Sequence, residues 1–145
     1  MTGIWLLQSA MFHAANYRVR VLIADDHPLV RKIVRSTLQQ DPQVEVCGEA
    51  QNGAEAIEAA RRLRPDVVVL DLAMPILNGF EAARGIRTKS PGSAIVILSS
   101  SVDQHLIDEA RKIGICAYVA KTKAGETLLR AVEAAVQGED FIAVN

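Results

Sequence analysis

Apolar and polar positions along the chain fall into short continuous runs separated by spaced stripes. Val67-Val68-Val69-Leu70 is an unbroken apolar run that ends in Asp71. A run this short and continuous predicts a strand buried on both faces of a parallel sheet, because a half-exposed strand would alternate. Val19 to Ala24, apolar apart from Arg20, predicts a second such strand and ends in Asp25-Asp26. Ala94 to Leu98 is a third, followed by Ser99-Ser100-Ser101, and Ala117-Tyr118-Val119-Ala120 is a fourth, ending at Lys121. Val44, Val46, Gly48 and Ala50 instead alternate with Glu45, Cys47 and Glu49. That period of two suits a strand with one less protected face, as at a sheet edge.

Between these runs the apolar positions recur at helical spacing. Pro28 stands at a first helical position, where its missing N–H is harmless, and Val30, Ile33, Val34 and Leu38 line the helix that follows. Asn52-Gly53 supplies a turn, and Ala56, Ile57, Ala60 and Leu63 form a stripe that stops before Pro65, which biases Arg64 away from helix. Pro75 and Asn78-Gly79 bend the loop after Asp71, and a short helix is expected from Phe80 to Arg87. Ser90-Pro91-Gly92-Ser93 is a turn. Leu106, Ile107, Ala110 and Ile113 mark a fourth helix closed by Gly114, and Leu128, Leu129, Val132 and Val136 a fifth closed by Gly138. Strands alternating with helices predict a parallel sheet with right-handed crossovers and helices on both faces. With strand two at an edge, the α/β class expected is a flavodoxin-like (βα)5 three-layer sandwich of strand order 2-1-3-4-5.

Composition narrows this little further. A chain of 145 residues fits one domain with an ordinary core. The expected division is residues 1–18 as a peripheral or disordered extension, 19–140 as the domain, and 141–145 as a tail. The apolar stretch from Ile4 to Ala15 is too short to span a bilayer, is interrupted by Gln8 and His13, and lacks the basic start of a secretory signal. A docked helix, a disordered tail and an extension upstream of a start at Met11 are all compatible with it. The net charge of -1, from 16 basic and 17 acidic residues, asks for neither nucleic acid nor an anionic membrane. Cys47 and Cys116 have no metal-ligand spacing and suit small core residues in a reducing, cytoplasmic compartment.

The chemistry lies in what the strand ends share. Parallel strands bring Asp25, Asp26, Asp71, Ser99 and Lys121 to one rim of the sheet. Three carboxylates in one pocket repel one another unless a hard cation neutralises them, and carboxylate and carbonyl oxygens are what Mg²⁺ accepts. A lysine and a hydroxyl beside them supply a point charge and a donor for phosphoryl oxygens. One carboxylate can then act as nucleophile and form an aspartyl phosphate.

At Asp25-Asp26, Asp71 with Met74-Pro75 and Asn78-Gly79, Ser99, and Tyr118-Val119-Ala120-Lys121, the chain resembles the response-regulator receiver domain of two-component signalling. The resemblance runs from about Val19 to Asp140. It implies that Asp71 accepts phosphate from the phosphohistidine of a sensor histidine kinase or phosphotransfer protein. It implies that Asp25, Asp26, Asp71 and the Ala73 carbonyl hold Mg²⁺, that Lys121 and Ser99 contact the phosphoryl group, and that Tyr118 is a switch residue turning inward with Ser99. The implied protein is a signalling switch and not an enzyme, with a homodimer on phosphorylation as one possible output. Asp25 to Arg31 and Gln137 to Phe141 look like the subclass whose receiver precedes a LuxR-type helix-turn-helix. Since the chain stops at Asn145, either a stand-alone or an excised receiver is expected, without direct nucleic-acid or membrane binding. Ser100 stands where the family usually has Ala, which bears on access to the phosphate, and Thr122 where Pro is commoner.

Each feature has a plainer competitor. Asp25-Asp26 taken alone reads equally as a capping pair for the first helix. His27 beside Pro28 reads as a capping or surface residue and is left outside the site. Ser101 reads as the cap of helix four, Lys121 alone as a surface lysine, and Tyr118 alone as a packing aromatic. An aspartate-nucleophile phosphatase of the haloacid-dehalogenase type would need a second acid where Ala73 stands. An FMN binder would need a Ser/Thr/Gly-rich loop in place of Asp25-Asp26-His27-Pro28.

Overall fold

The four apolar runs and the alternating segment become five parallel strands, with the alternating one at an edge. The computed structural model describes residues 18–101 and 103–144, so the readings of the N-terminal extension lie outside the described residues. The strands are β1 (Val19–Ala24), β2 (Val44–Ala50), β3 (Val67–Asp71), β4 (Ala94–Ser99), β5 (Ala117–Ala120) and β6 (Phe141–Ala143). The helices are α1 (Pro28–Leu38), α2 (Gly53–Leu63), α3 (Gly79–Lys89), α4 (Gln104–Ile113) and α5 (Ala124–Gln137). The sheet order is β2-β1-β3-β4-β5-β6, all parallel. The expected order 2-1-3-4-5 therefore holds, with alternating β2 at one edge. The other edge differs from expectation: residues 141–143 are not a tail but a sixth strand, pairing Phe141 with Ala117 and Val119 with Ala143.

Alternation along the strands divides the core in two. Leu22, Val68, Leu70, Ile95 and Ile97 face one layer with Ala56 and Ala60 of α2, Ala82 and Ile86 of α3, and Ile107 of α4. Val21, Ile23, Val67, Val69, Val96 and Val119 face the other with Val34 and Leu38 of α1 and Leu128 and Val132 of α5. All five residues of β3 are buried. Each of its four aliphatic side chains contributes about 1.5–3 kcal/mol of transfer free energy, so β3 is firmly held at the sheet centre. Arg20, the polar interruption of β1, reaches out to donate from Nη1 to the carbonyls of Leu63 (2.7 Å) and Arg64 (3.2 Å), satisfying the C-terminal end of α2.

Local boundaries depart from the sequence reading in three places. Asn52 is an N-cap, accepting from the Glu55 N–H at 2.8 Å, so α2 begins at Gly53 where a turn was expected. The third helix starts a residue earlier and ends two later than its apolar positions indicate, because Asn78 and Glu81 form a capping box. Helix α4 is capped by Asp103, which accepts from the His105 N–H, and not by Ser101. Arg64 does leave the helix before Pro65, in the left-handed region at φ 47°. Cys47 and Cys116 are free thiols and only half-buried, so neither is the core residue expected.

Candidate phosphoryl site at the carboxyl rim

Strand register alone assembles most of the site. Ala24 pairs with Leu70, so Asp25 and Asp71 leave adjacent strands side by side. Asp71 pairs with Leu98 and Ser99 with Ala120, which puts Ser99 and Lys121 on the same rim. The Asp25 N–H donates to the Ala50 carbonyl at 3.0 Å, and the Asp25 carbonyl accepts from Arg31 Nη1 at 2.7 Å. Arg31 is held in turn by Glu49, which also pairs with Arg35. The turn carrying the two acids is thus tied to β2 and to α1.

Asp25 and Asp71 are each only 2 % exposed, and Asp26 is half-buried. Lys121 Nζ lies 3.1 Å from Asp25 Oδ2 and 3.4 Å from Asp71 Oδ1. One ammonium thus pairs with two of three clustered carboxylates. Asp25 Oδ2, Asp26 Oδ1 and Asp71 Oδ2 are buried without a hydrogen-bond partner, and of these Asp25 Oδ2 is the one the ammonium pairs with. Orphaned anionic oxygens of this kind are costly unless a cation or donor completes them. Burial and the charge of Asp25 push the Asp71 carboxyl above its ordinary range, against the opposing pull of Lys121 and the Ala73 backbone. Burial acts to lower the Lys121 pKa, but Asp71 and Asp25 outweigh it and raise it. The ammonium is therefore kept charged beside the acids. Ligand atoms of Asp25, Asp26, His27 and Asp71 all lie within 4.8 Å of one another, a donor set that fits a hard divalent cation.

The remaining expected residues sit around this centre. Ser99 is buried, and its Oγ accepts from the Ser101 N–H at 3.0 Å. Ser100 and Ala73 are exposed on the flanking loops. Tyr118 is turned inward, 1 % exposed, and its hydroxyl donates to the Ser101 carbonyl at 2.9 Å. Burial raises its pKa. Gly79 is where α3 meets β3: a Cβ there would stand 2.5 Å from the Asp71 carbonyl oxygen. The loop before it holds Ile76 at φ 72° with the Leu77 N–H donating to the Pro75 carbonyl, a tight three-residue turn. Two contributors were missed from the sequence. His27 belongs to the cluster, its Nδ1 3.2 Å from Asp25 Oδ1 and 3.1 Å from Asp26 Oδ1. Arg31 braces the Asp25 carbonyl. Adjacency to the two acids was the available signal for His27, and none pointed to Arg31.

The profile of the response regulator receiver domain matches residues 21–133. The chain is 40% identical over 119 residues to the nitrate/nitrite response regulator protein NarL of Escherichia coli K12, covering 82% of this chain and 55% of that protein. A crystal structure of a two-component response regulator of the LuxR family from Aurantimonas sp. SI85-9A1 superposes with a TM-score of 0.82 at 32% identity, covering 87% of this chain and 90% of that one. A protein-glutamate methylesterase/protein-glutamine glutaminase of Pyrococcus abyssi is 48% identical over 80 residues, 55% of this chain and 22% of that protein. The chain thus spans about half the length of NarL, a response regulator, and a smaller share of an enzyme. Among the described residues no helix is long and apolar enough to cross a membrane. With its sheet order, its acidic rim and these matches taken together, the chain belongs to the response regulator receiver domains, of the kind found in LuxR-type regulators.

Proposed function

We propose that Asp71 is the phosphoryl acceptor of this receiver, and that a cognate histidine kinase or phosphotransfer protein is its donor. The observation that carries the reading is the clustering of Asp25, Asp26 and Asp71 at one point of the rim, with Lys121 paired to Asp25 and Asp71 and with Asp26 Oδ1 and Asp71 Oδ2 buried and unpartnered. Asp25, Asp26, Asp71 and the Ala73 carbonyl would hold Mg²⁺, which when bound neutralises charge on the phosphoryl oxygens. Lys121 places a positive charge against both Asp25 and Asp71, and so favours the ionised, attacking form of Asp71 against the opposing effect of burial and Asp25. An Asp71 oxygen forms the new bond to phosphorus as the phosphorus–nitrogen bond of the donor imidazole breaks, and the nitrogen keeps the electron pair.

Ser99 and Tyr118 form the reading's switch. Their link through Ser101 ties the rim to the loop before α4, so drawing Ser99 Oγ toward a phosphoryl oxygen would release the Ser101 N–H and disturb the Tyr118 contact. The surface of α4, β5 and α5 would then pass the state to an output partner, a second copy of the chain among the candidates. In this reading the chain is a cytoplasmic signalling switch without catalytic turnover of its own substrate, and any DNA contact belongs to a partner or another domain. The near-neutral charge supports that assignment.

Acetyl phosphate with Mg²⁺ is expected to add one acid-stable, base-labile phosphoryl group, and Asp71→Asn to abolish it. Equal labelling of the Asn variant would remove Asp71 from its assigned role. Lys121→Ala is expected to keep metal affinity while losing the conformational response, read as the change in elution volume on adding beryllofluoride.

A further inference from the structure

Building on the reading of Asp25, Asp26 and Asp71 as a cation site, we propose that His27 Nδ1 is a further ligand in it. The site would then take imidazole-favouring first-row ions such as Ni²⁺ as well as Mg²⁺. His27 lies in extended backbone (φ -96°, ψ 113°) immediately before Pro28, and its side chain caps nothing in α1. Its backbone N–H donates to Asp25 Oδ1 at 2.9 Å, which holds the ring over the acids. Nδ1 stands 3.2 Å from Asp25 Oδ1 and 3.1 Å from Asp26 Oδ1. Adjacent ligands of an octahedral ion with bonds of about 2.1 Å sit about 3 Å apart, and opposite ones about 4.2 Å. The four residues' ligand atoms, all within 4.8 Å of one another, need close by only about half an ångström to fit one coordination shell.

Two further features separate this arrangement from a simple ion pair. Nδ1 shares a hydrogen bond with Asp25 Oδ1, so a metal there takes the place of the shared proton, while Asp26 Oδ1, 3.1 Å from the same nitrogen, has no hydrogen-bond partner and is left to the metal. Asp71, whose carboxylate belongs to the same cluster, likewise has its Oδ2 buried and unpartnered. The ring itself is 62 % exposed and reaches the centre from the solvent side, where a purely oxygen-lined site would be completed by water. An imidazole nitrogen in place of a water changes preference more than occupancy. Mg²⁺ gains little from nitrogen, whereas affinity for N-containing sites rises along the first-row series toward Ni²⁺ and Cu²⁺.

Calorimetric titration of the full chain with Mg²⁺ and with Ni²⁺ tests this, comparing wild type, His27→Ala and Asp26→Asn. His27→Ala is expected to weaken Ni²⁺ by at least about tenfold, the lower end of what lost metal-site partners cost, with Mg²⁺ changed far less. Asp26→Asn is expected to weaken both. An unchanged ratio of Ni²⁺ to Mg²⁺ affinity in His27→Ala overturns the inference and leaves the Mg²⁺ reading standing. Wild type that takes neither ion overturns both. Ni²⁺ binding that survives both substitutions belongs elsewhere, at His105 for example, and also overturns it. Pulsed EPR of the Mn²⁺-loaded protein reads the ligand directly: nitrogen modulation is expected in wild type and absent from His27→Ala, and its absence in wild type counts against His27.

Discussion

Asp71 is a carboxylate held where its own charge is disfavoured. Burial and Asp25 raise its pKa, and Lys121 offsets only part of that. The sign of the resulting pH dependence follows. A raised folded-state pKa means that the folded protein binds the proton more tightly than the unfolded chain does. The associated stabilisation is present below the ordinary value of 3.8 and is lost as pH rises through the raised one. Near neutrality without metal, the ionised acid therefore works against the fold. Asp71→Asn, which keeps the shape and removes the charge, is expected to raise metal-free stability by about 0.5–2 kcal/mol, the usual yield of relieving a functional site. It should also flatten the pH dependence above the ordinary carboxylate value. Urea titrations at several pH values check both. Mg²⁺ at about 100 times its Kd should return about 2.7 kcal/mol to wild type and much less to the variant. An Asn variant less stable than wild type without metal would mean that the Asp71 charge is already balanced by Lys121.

At the scale of elements, the end of β3 and the start of α3 form one unit, and Gly79 is its joint. A methyl group at Gly79 would stand 2.5 Å from both the Asp71 carbonyl oxygen and the Leu72 Cα, which are backbone atoms that cannot rotate away. Gly79→Ala is therefore expected to destabilise the protein by about 1–3 kcal/mol, read as a lowered urea midpoint. It should also slow labelling by acetyl phosphate, because relief requires shifting the peptide that carries Asp71. Gly92→Ala, where nothing lies within 4 Å of the added carbon, serves as the neutral comparison. The strands themselves were legible from sequence because a continuous apolar run has few alternatives inside a parallel sheet. Asp25, Asp26, Asp71, Ser99 and Lys121 were legible with them, since each ends such a run. The caps were not. Ser101 and Asp103 both offer an oxygen near the start of α4, and local sequence does not choose between them. Asp103 caps because it directly precedes the first helical residue, Gln104, and its carboxylate reaches the His105 N–H, whereas Ser101 lies further back with its backbone engaged by Ser99 and Tyr118. Asn52-Gly53 reads as a turn for the same reason, since a turn and an N-cap call for the same residues. His27 and Arg31 were hidden because their roles depend on where side chains reach in three dimensions.

Across the whole molecule, β3 and its neighbours are shielded on both faces, and the sheet's exposure is confined to its two edges. The β2 edge alternates, as a partly solvated strand should. The β5 side carries β6, whose three residues are too short a run to read as a strand. They become one because β5 would otherwise present unpaired backbone groups, and the short connection after α5 delivers them in parallel register. Phe141 anchors the strand: its N–H donates to the Cys116 carbonyl at 2.9 Å, its ring packs against the α1/α5 layer, and Arg130 lies 5.5 Å over its face. Two changes separate packing from edge protection. Phe141→Ala removes the ring and the cation–π contact but leaves the backbone able to pair. It is expected to lower stability by about 1–3 kcal/mol, given partial burial, with the protein still monodisperse in the absence of phosphoryl donor. Ending the chain after Asp140 removes the strand as well, so a similar loss of stability should come with concentration-dependent association through the bare β5 edge, seen by sedimentation velocity. Association of both variants to the same extent would mean that β5 is protected by the Phe141 side chain. Association of neither would mean that the edge of β5 is shielded by α5 and the loop after it, and that β6 contributes packing alone.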